Sequence, residues 1–507
     1  MKEEQDHFNK LFVGGDLSGI QSFLYNISSK RAAVSLKGRS RYLSDYMDKT
    51  CEMLMAAARE AGSKELDKIY CSGGKFYLIT DNTPAIQQAI DECAGKIKEN
   101  LWKEHYGQLG INIAHTPFSE NANGTVNTPS GDNMKPGILW RTVNAEFAKQ
   151  KNQKFKDIIA ADFDSYFKPI SIGDKPKVCA ITGIESDDCE NYTYRSPQGD
   201  ETTILVLPSV KEQIRLGEKL NREDGAGMTF EDYADDTYLG VLRMDVDGLG
   251  KRFIIGFKSI DEYKAFSKRL VDFFENEVKQ IRLEPEFKDY INIIYAGGDD
   301  LFIVGRWDMT IAIAQRIHYE VEKQFKNEGI SISGGMVIVN PKFPIAKAAE
   351  LAGNAEDAAK HFVMKKDNNE VAKNAFHFLG KTVSWDGEFD YVVQTKDKFV
   401  ELIKPKDMSK SILHKLMLYA DIAARNKQRK EDGKSEDFSY LWHASYYLTR
   451  YIERYKDKDD KKDVVTFVKI LRDKELTLNS GRNLQLIAVA ARWAELQLRE
   501  FEQNNNN

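Results

Sequence analysis

The sequence predicts an α+β protein: two ferredoxin-like domains, a small linker domain and a C-terminal helical bundle. Three observations carry this. A strand–helix–hairpin–helix–strand pattern occurs twice. A stretch rich in turn formers, 168–201, interrupts the chain between the copies with two cysteines and three prolines. From about residue 405 onward, apolar residues recur at helical spacing with little Gly or Pro punctuation. The expected domains are 1–142, 143–235, 236–395 and 396–507.

The first copy opens with LFVGGDLSG (11–19) and the second with YLGVLRMDVDGLG (238–250). Each is a short apolar strand ending in an acid, Asp16 or Asp245, followed by Gly19 or Gly248. After a helical segment, each copy has two apolar runs around a Gly-Gly turn: IYCSGGKFYLIT (69–80) and INIIYAGGDDLFIVG (291–305). A further helix then leads to a fourth strand, LGINIA (109–114) or ISISGGMVIV (330–339). The segment 119–137, rich in Asn, Gly, Ser and Thr, reads as a loop. The charge runs 423–438 and 456–463 read as solvated loops or helix faces, and the final asparagines as a frayed tail. Four helices are expected in the tail region, at SILHKLMLYADIAA, YLWHASYYLTRYIERY, DVVTFVKILRDKEL and RNLQLIAVAARWAELQLREF.

Composition narrows the function. At 507 residues with 42% hydrophobic and 30% charged residues, the chain is neither disordered nor collagen-like. No apolar run approaches a membrane span, and the polar start MKEEQDHFNK has no signal-like core, so a cytoplasmic protein is expected. Five cysteines make a disulfide framework improbable. The net charge of −5 disfavours a free-standing nucleic-acid binder: a local patch or a partner must supply the positive charge.

The chemistry is concentrated in the second copy. Asp245 and Asp247 stand two apart at a strand end and so face one side. Asp299 and Asp300 stand at a hairpin tip expected beside that strand. Three or four carboxylates then crowd together, and a hard divalent cation, Mg²⁺ or Mn²⁺, relieves their repulsion. This is the apparatus of two-metal phosphoryl transfer. Gly248, Leu249, Gly250 and Lys251 form a turn where phosphates can approach backbone N–H groups; Gly297 and Gly298 let a nucleotide lie close. Ser333, on the fourth strand, is a further nucleotide-binding candidate, and Lys360, on the helix 348–361, is placed to meet a triphosphate. The open alternatives are an inert or calcium-binding loop and an ordinary solvated lysine. In the first copy Ser18 replaces Asp247, and aligning the Gly-Gly pairs puts Lys75 and Phe76 at Asp299 and Asp300. That copy is expected to be non-catalytic. Asp16, Ser18, Gly19, Gly73 and Gly74 either bind an acceptor nucleotide or belong to a structural platform.

These runs resemble the large, polymerase-like subunit of type III CRISPR effector complexes, in its Csm-type form. The resemblance rests on GDLSGIQSFLYNISSKRAAVSLKGRSRYLS (15–44), MDVDGLG (244–250), GGDDLFIVG (297–305), AELAGNAEDAAK (349–360), KNAFHFLGKTVSW (373–385) and WHASYYLTRYIERY (442–455), and covers nearly the whole chain. It implies two palm domains related to nucleotide cyclases, ATP as substrate, and divalent metal on Asp245, Asp299 and Asp300. It implies cyclic oligoadenylate as product, made when a guide-RNA complex captures target RNA, with other effector subunits as partners and no membrane. Transfer of AMP to another acceptor such as S-adenosylmethionine, a diguanylate cyclase, and a scaffold holding guide RNA are the rivals. Two departures stand out. None of the eight histidines is followed by Asp, so the HD-type DNase of many members is not expected from this chain. The family's zinc ribbon is eroded: Cys179 and Cys189 remain, with Thr182 and Tyr192 in the other places, so zinc is not expected.

Overall fold

The computed structural model describes residues 8–105, 107–164, 177–195, 199–234, 238–366, 369–476 and 481–504. The last three asparagines, part of the expected tail, and much of 168–201 lie outside the described residues. The chain forms two compact units, Met1–Ile332 with Ile338–Gly353, and Ser333–Val337 with Asn354–Asn507.

In the first unit, β1 (Lys10–Ser18), β2 (Leu66–Ser72), β3 (Lys75–Asp81) and β4 (Gly110–Glu120) form a sheet in the order β2-β3-β1-β4, the ferredoxin-like arrangement. Alternation along β1 sorts its side chains. Leu11, Val13 and Leu17 enter a core with Leu43, Met47 and Leu54 of helix Ala32–Glu60 and Ile86, Ile90 and Ile97 of helix Pro84–His105. Phe12, Gly14 and Asp16 alternate onto the other face, where helix Gly137–Lys151 lies. Gly14 is required there, because a Cβ would stand 2.6 Å from Val143.

The sheet continues through β5 (Val126–Thr128) and β6 (Gly131–Met134), so the segment expected to be a loop is a small antiparallel extension. Its polar residues bond one another: Asn121 Nδ2 donates to Thr125, Asn127 and Asn133. Short hairpins draw on the same turn-forming residues as loops, so composition alone does not separate them. Next come the β7 (Glu190–Arg195) and β8 (Glu201–Val206) hairpin and helix Pro208–Glu223. Cys179 and Cys189 are buried here as free thiols. Thr182 Oγ accepts from Ile184 N, and the Tyr192 hydroxyl donates to Glu218.

The second repeat begins with β9 (Leu239–Asp247), β10 (Ile291–Gly297) and β11 (Asp300–Arg306), ordered β10-β11-β9. β12 (Ser331–Val339) starts in the first unit and passes into the second. There its Gly334 pairs in parallel with Phe376 of β15 (Ala375–Phe378), after the β13 (Val363–Lys366) and β14 (Asn369–Ala372) hairpin. β16 (Lys381–Ser384) follows. The second unit also holds helices Glu388–Ile403, Ser411–Glu431, Ser439–Tyr455, Lys462–Ile470 and Gly481–Asn504; the last four occupy the four expected runs. Phe376, Trp385, Phe389 and Trp493 form its aromatic centre.

Candidate active site

The register of the second hairpin sets the site. Asp300 of β11 lies directly opposite Asp245 of β9, so the two carboxylates share a face. Gly297 pairs with Asp300, which leaves Gly298 and Asp299 as the two turn residues. In the first repeat Asp16 lies opposite Lys75, and Gly73 and Gly74 make the turn. Two backbone bonds fix the same correspondence: Leu17 N–H to Gly74 O at 2.8 Å, and Val246 N–H to Asp299 O at 3.0 Å. Matching the Gly-Gly pairs is therefore one residue out of step. Gly74 and Lys75, and not Lys75 and Phe76, stand where Asp299 and Asp300 do.

The expected crowding of three or four carboxylates is not found. Among the described residues no group of three or more His, Cys, Asp or Glu side chains is arranged to hold a metal ion. Like charges separate when protein donors are in reach. Asp247, 4% exposed, accepts from Ser331 Oγ at 2.9 Å. Asp300 lies 3.7 Å from the Arg243 guanidinium. Asp299 extends toward the first hairpin, its Oδ1 3.7 Å from where a Cβ on Gly73 would be. Asp245 and Asp300 remain as a facing, half-buried pair. Mg²⁺ commonly takes one or two carboxylates and completes its shell with phosphate oxygens, so this donor set fits that cation without an all-protein cage.

Gly248 (φ +73°) heads helix Leu249–Ile255, and neither it nor Gly250 would meet any atom within 4 Å if given a Cβ. That open ground matches the expected phosphate approach, with Lys251 exposed beside it. Two other candidates are placed differently. Ser333 is fully buried, and its Oγ accepts from Ala375 N at 3.4 Å; it ties β12 to β15 and has no surface to offer a nucleotide. Lys360 pairs with Glu356 one turn back on its own helix, Ile345–Lys360, at 2.8 Å, as expected of an i,i+4 pair.

The first repeat's polar set is engaged within the protein. Asp16, 5% exposed, is held by Lys151 Nζ at 2.5 Å. Ser18 Oγ donates to Gly110 O at 2.9 Å. A Cβ on Gly19 would stand 2.3 Å from Gln108 O, and one on Gly74 would stand 2.4 Å from Ile20. Gly73 packs on Gly298, where a Cβ would lie 2.8 Å from the Gly73 Cα. These contacts favour the platform role over the acceptor-nucleotide role for all five residues.

The two hairpin tips are joined by a relay that the sequence did not reveal. Ser72 Oγ accepts from Gly298 N–H at 2.8 Å and donates to Glu275 Oε1 at 3.0 Å. Tyr70 and Tyr295 occupy equivalent bulged positions beside the turns. Burial pushes both phenols well above their usual range. The next cause is Asp299 for Tyr70, and Asp300 followed by Asp299 for Tyr295. Both stay neutral beside the acids. The tyrosine shared by IYCSGG and IYAGG was the available signal, as was the lysine closing the helix after each fourth strand, Lys151 and Lys360.

Comparison with known proteins agrees with this geometry. The second palm domain of Cas10/Cmr2 matches residues 238–372, and domain B of the Csm1 subunit matches residues 9–169. The chain belongs to the Cas10/Csm1 family. It is 26% identical over 478 residues to a CRISPR system single-strand-specific deoxyribonuclease Cas10/Csm1 (subtype III-A) of Enterococcus italicus, covering 80% of this chain and 59% of the relative. A protein of the same description from Mycobacterium tuberculosis is 25% identical, with 78% and 58% covered. The chain thus spans about three fifths of the length of these relatives. A Csm1-Csm4 cassette solved in complex with cA4 has a TM-score of 0.63 at 19% identity, covering 97% of this chain and 71% of that one. A cassette with one ATP gives 0.60 at 18%, with 95% and 70% covered. These structures share the fold of two ferredoxin-like palms and a helical C-terminal region. No helix among the described residues is long and apolar enough to cross a membrane.

Proposed function

We propose that this Cas10/Csm1 chain is a metal-dependent nucleotidyltransferase of a type III CRISPR effector complex, making cyclic oligoadenylate from ATP when the complex recognises target RNA. The observation that carries the reading is the Asp245–Asp300 pair, facing in register beside the open Gly248–Gly250 turn. Related folds solved with cA4 and with ATP support the substrate and product.

In the proposed step the 3′-oxygen of one ATP forms a bond to the α-phosphorus of another. The bond from that phosphorus to the pyrophosphate oxygen breaks, pyrophosphate leaves, and the hydroxyl proton passes to water. Asp245 and Asp300 would hold the cation, with Asp299 at the turn beside them. Mg²⁺ or Mn²⁺ bound there supplies charge neutralisation and lowers the pKa of the attacking hydroxyl. The Gly248–Gly250 backbone and Lys251 receive the triphosphate, and Arg243 adds positive charge at Asp300. The first palm braces the second hairpin through Ser72. A Csm4-type subunit is the proposed neighbour, as in the related cassettes, with guide and target RNA reaching the chain through the complex. The deoxyribonuclease in the relatives' names is not part of this proposal, since no His-Asp dipeptide occurs in the sequence.

The test is Asp299→Ala with Asp300→Ala in the reconstituted complex carrying target RNA. Adenylate product, read by mass spectrometry, should fall by roughly 100-fold or more. Unchanged turnover would end the assignment. Product spectra with and without S-adenosylmethionine separate ring formation from AMP transfer.

A further inference from the structure

A cleft of about 900 Å³ opens in the first unit, away from the acids, between the β7–β8 hairpin and helix Pro208–Glu223. That volume falls in the range of functional ligand pockets (~300–1,000 Å³). Its lining carries Arg31, Arg195, Lys211, Arg215 and Arg222 against two acids, Glu218 and Asp232, in a chain whose net charge is −5. The positive charge that the composition lacks globally is gathered here.

The floor is built and partly aromatic. Tyr192 and Tyr194 project from one face of β7 with ring centroids 6.0 Å apart and planes 23° from parallel. The Arg31 guanidinium lies 4.8 Å from the centre of the Tyr194 ring. Arg31 sits in the left-handed region (φ +53°), sparsely used by non-glycine residues, so its placement is imposed by its surroundings. Its side chain is only 7% exposed, and its Nε is buried with no hydrogen-bond partner among the described residues. Glu218 is shared by Arg31, Arg222 and the Tyr192 hydroxyl, so its charge is already matched. Arg215 is exposed and has no acidic partner within 4.0 Å among the described residues; Arg195, 79% exposed, has one only at 4.0 Å.

We propose that this cleft binds single-stranded RNA, with a base on the Tyr192–Tyr194 platform and phosphates against Arg195, Lys211 and Arg215. Stacked rings beside separate point cations are the means by which proteins hold an unpaired strand without reading its sequence. A duplex hides its base faces and would not use the platform. The cleft is also fastened to the first palm. Helix Ala32–Glu60 begins right after Arg31 and crosses helix Pro208–Glu223 so closely that a Cβ on Gly38 would lie 1.7 Å from Gln213 O, and one on Gly217 would lie 1.9 Å from Val34 O. Arg39 bonds Gln213 Oε1 and Phe23 O across the same crossing. The GRS run at 38–40, for which catalysis gave no role, is thereby explained.

The experiment is fluorescence anisotropy of a labelled ten-nucleotide RNA on the full chain, with no ATP turnover involved, so it fails independently of the nucleotidyltransferase reading. Wild type should bind with Kd on the order of 10 μM at moderate salt. Arg195→Ala with Arg215→Ala should weaken binding roughly 10-fold and reduce the salt slope by about 1.4. Tyr194→Ala should weaken it roughly 10-fold with little change in slope. Circular dichroism melting confirms that the variants fold. Retention of wild-type affinity by both variants would overturn the proposal. So would equal affinity for an RNA duplex, displacement by micromolar ATP, or no binding by wild type at 100 μM.

Discussion

The two palms share one strand register and differ in what fills it. Asp16 and Asp245 occupy the same position, as do Lys75 and Asp300, Gly74 and Asp299, Gly19 and Gly248. In the first palm every special position is closed: Lys151 neutralises Asp16, and the Gln108 carbonyl faces Gly19. In the second, the ground beyond Gly248 is open and a second acid faces the first. A site can thus be retired without changing its backbone. An internal ammonium takes over the carboxylate, a carbonyl takes over the phosphate space, and the saved geometry becomes a brace.

The largest expected effect comes from Gly298→Val. The turn needs positive φ (+70°), and a Cβ there would press on the Gly73 backbone at 2.8 Å, with the Tyr70 hydroxyl at 2.9 Å. A β-branched residue in that region is a genuine outlier, so about 3 kcal/mol of stability and nearly all product formation should be lost. Gly248→Ala shares the positive φ (+73°) but meets no atom, so calorimetry should show only about 1 kcal/mol. Equal losses would mean that the hairpin contact between the palms is unimportant. Next is Lys151→Met, which leaves buried Asp16 uncompensated at a cost of about 2 kcal/mol, discounted because Lys151 is half exposed. Adding Asp16→Asn should restore most of it. Failure of that rescue in urea titrations would show that the ammonium does not stand in for a cation.

The repeat, its strands and the acids were legible because period-two apolar runs and Gly-acid pairs survive divergence. The hairpin register was not. It depends on which two residues the turn takes, and a one-residue choice is invisible when both copies spell Gly-Gly. Ser333 was misread for a related reason: a hydroxyl on a central strand is as often a tie between strands as a ligand group. The basic cleft was foreshadowed only by a deficit, a net negative chain in need of a local patch. Arg31 and Arg215 are 184 positions apart, and only the crossing of the helix after Arg31 with the helix carrying Arg215 brings them to one wall.

Acid should loosen the first palm through His105. Burial, helped by the nearby Arg39 charge, lowers its pKa to about 4, and its Nε2 lies 2.7 Å from the Tyr42 hydroxyl. The unfolded chain takes up the proton near pH 6.5 while the folded chain refuses it until about 4. Stability from this group is therefore fully present above pH 6.5 and falls by at most about 1.4 kcal/mol per pH unit down to 4. His105→Gln should flatten the denaturation midpoint between pH 6.5 and 5. An undiminished acid slope in that variant would place the sensitivity elsewhere.

The smallest effect tests the brace itself. Ser72→Ala removes the acceptor from the buried Gly298 N–H and the donor to Glu275, while touching neither nucleotide nor acid in the proposed site. A lost hydrogen bond of this kind is worth about 1 kcal/mol, so kcat should fall roughly 5- to 10-fold. KM for ATP should hold, because the ground-state contacts are untouched. Ser72→Thr keeps the hydroxyl and should recover the rate. Glu275→Gln keeps an acceptor for Ser72 and should be nearly silent, whereas Glu275→Ala should approach Ser72→Ala. A rise in KM with unchanged kcat would mean that Ser72 lies in the nucleotide pocket, and the first palm would then be a binding partner instead of a brace.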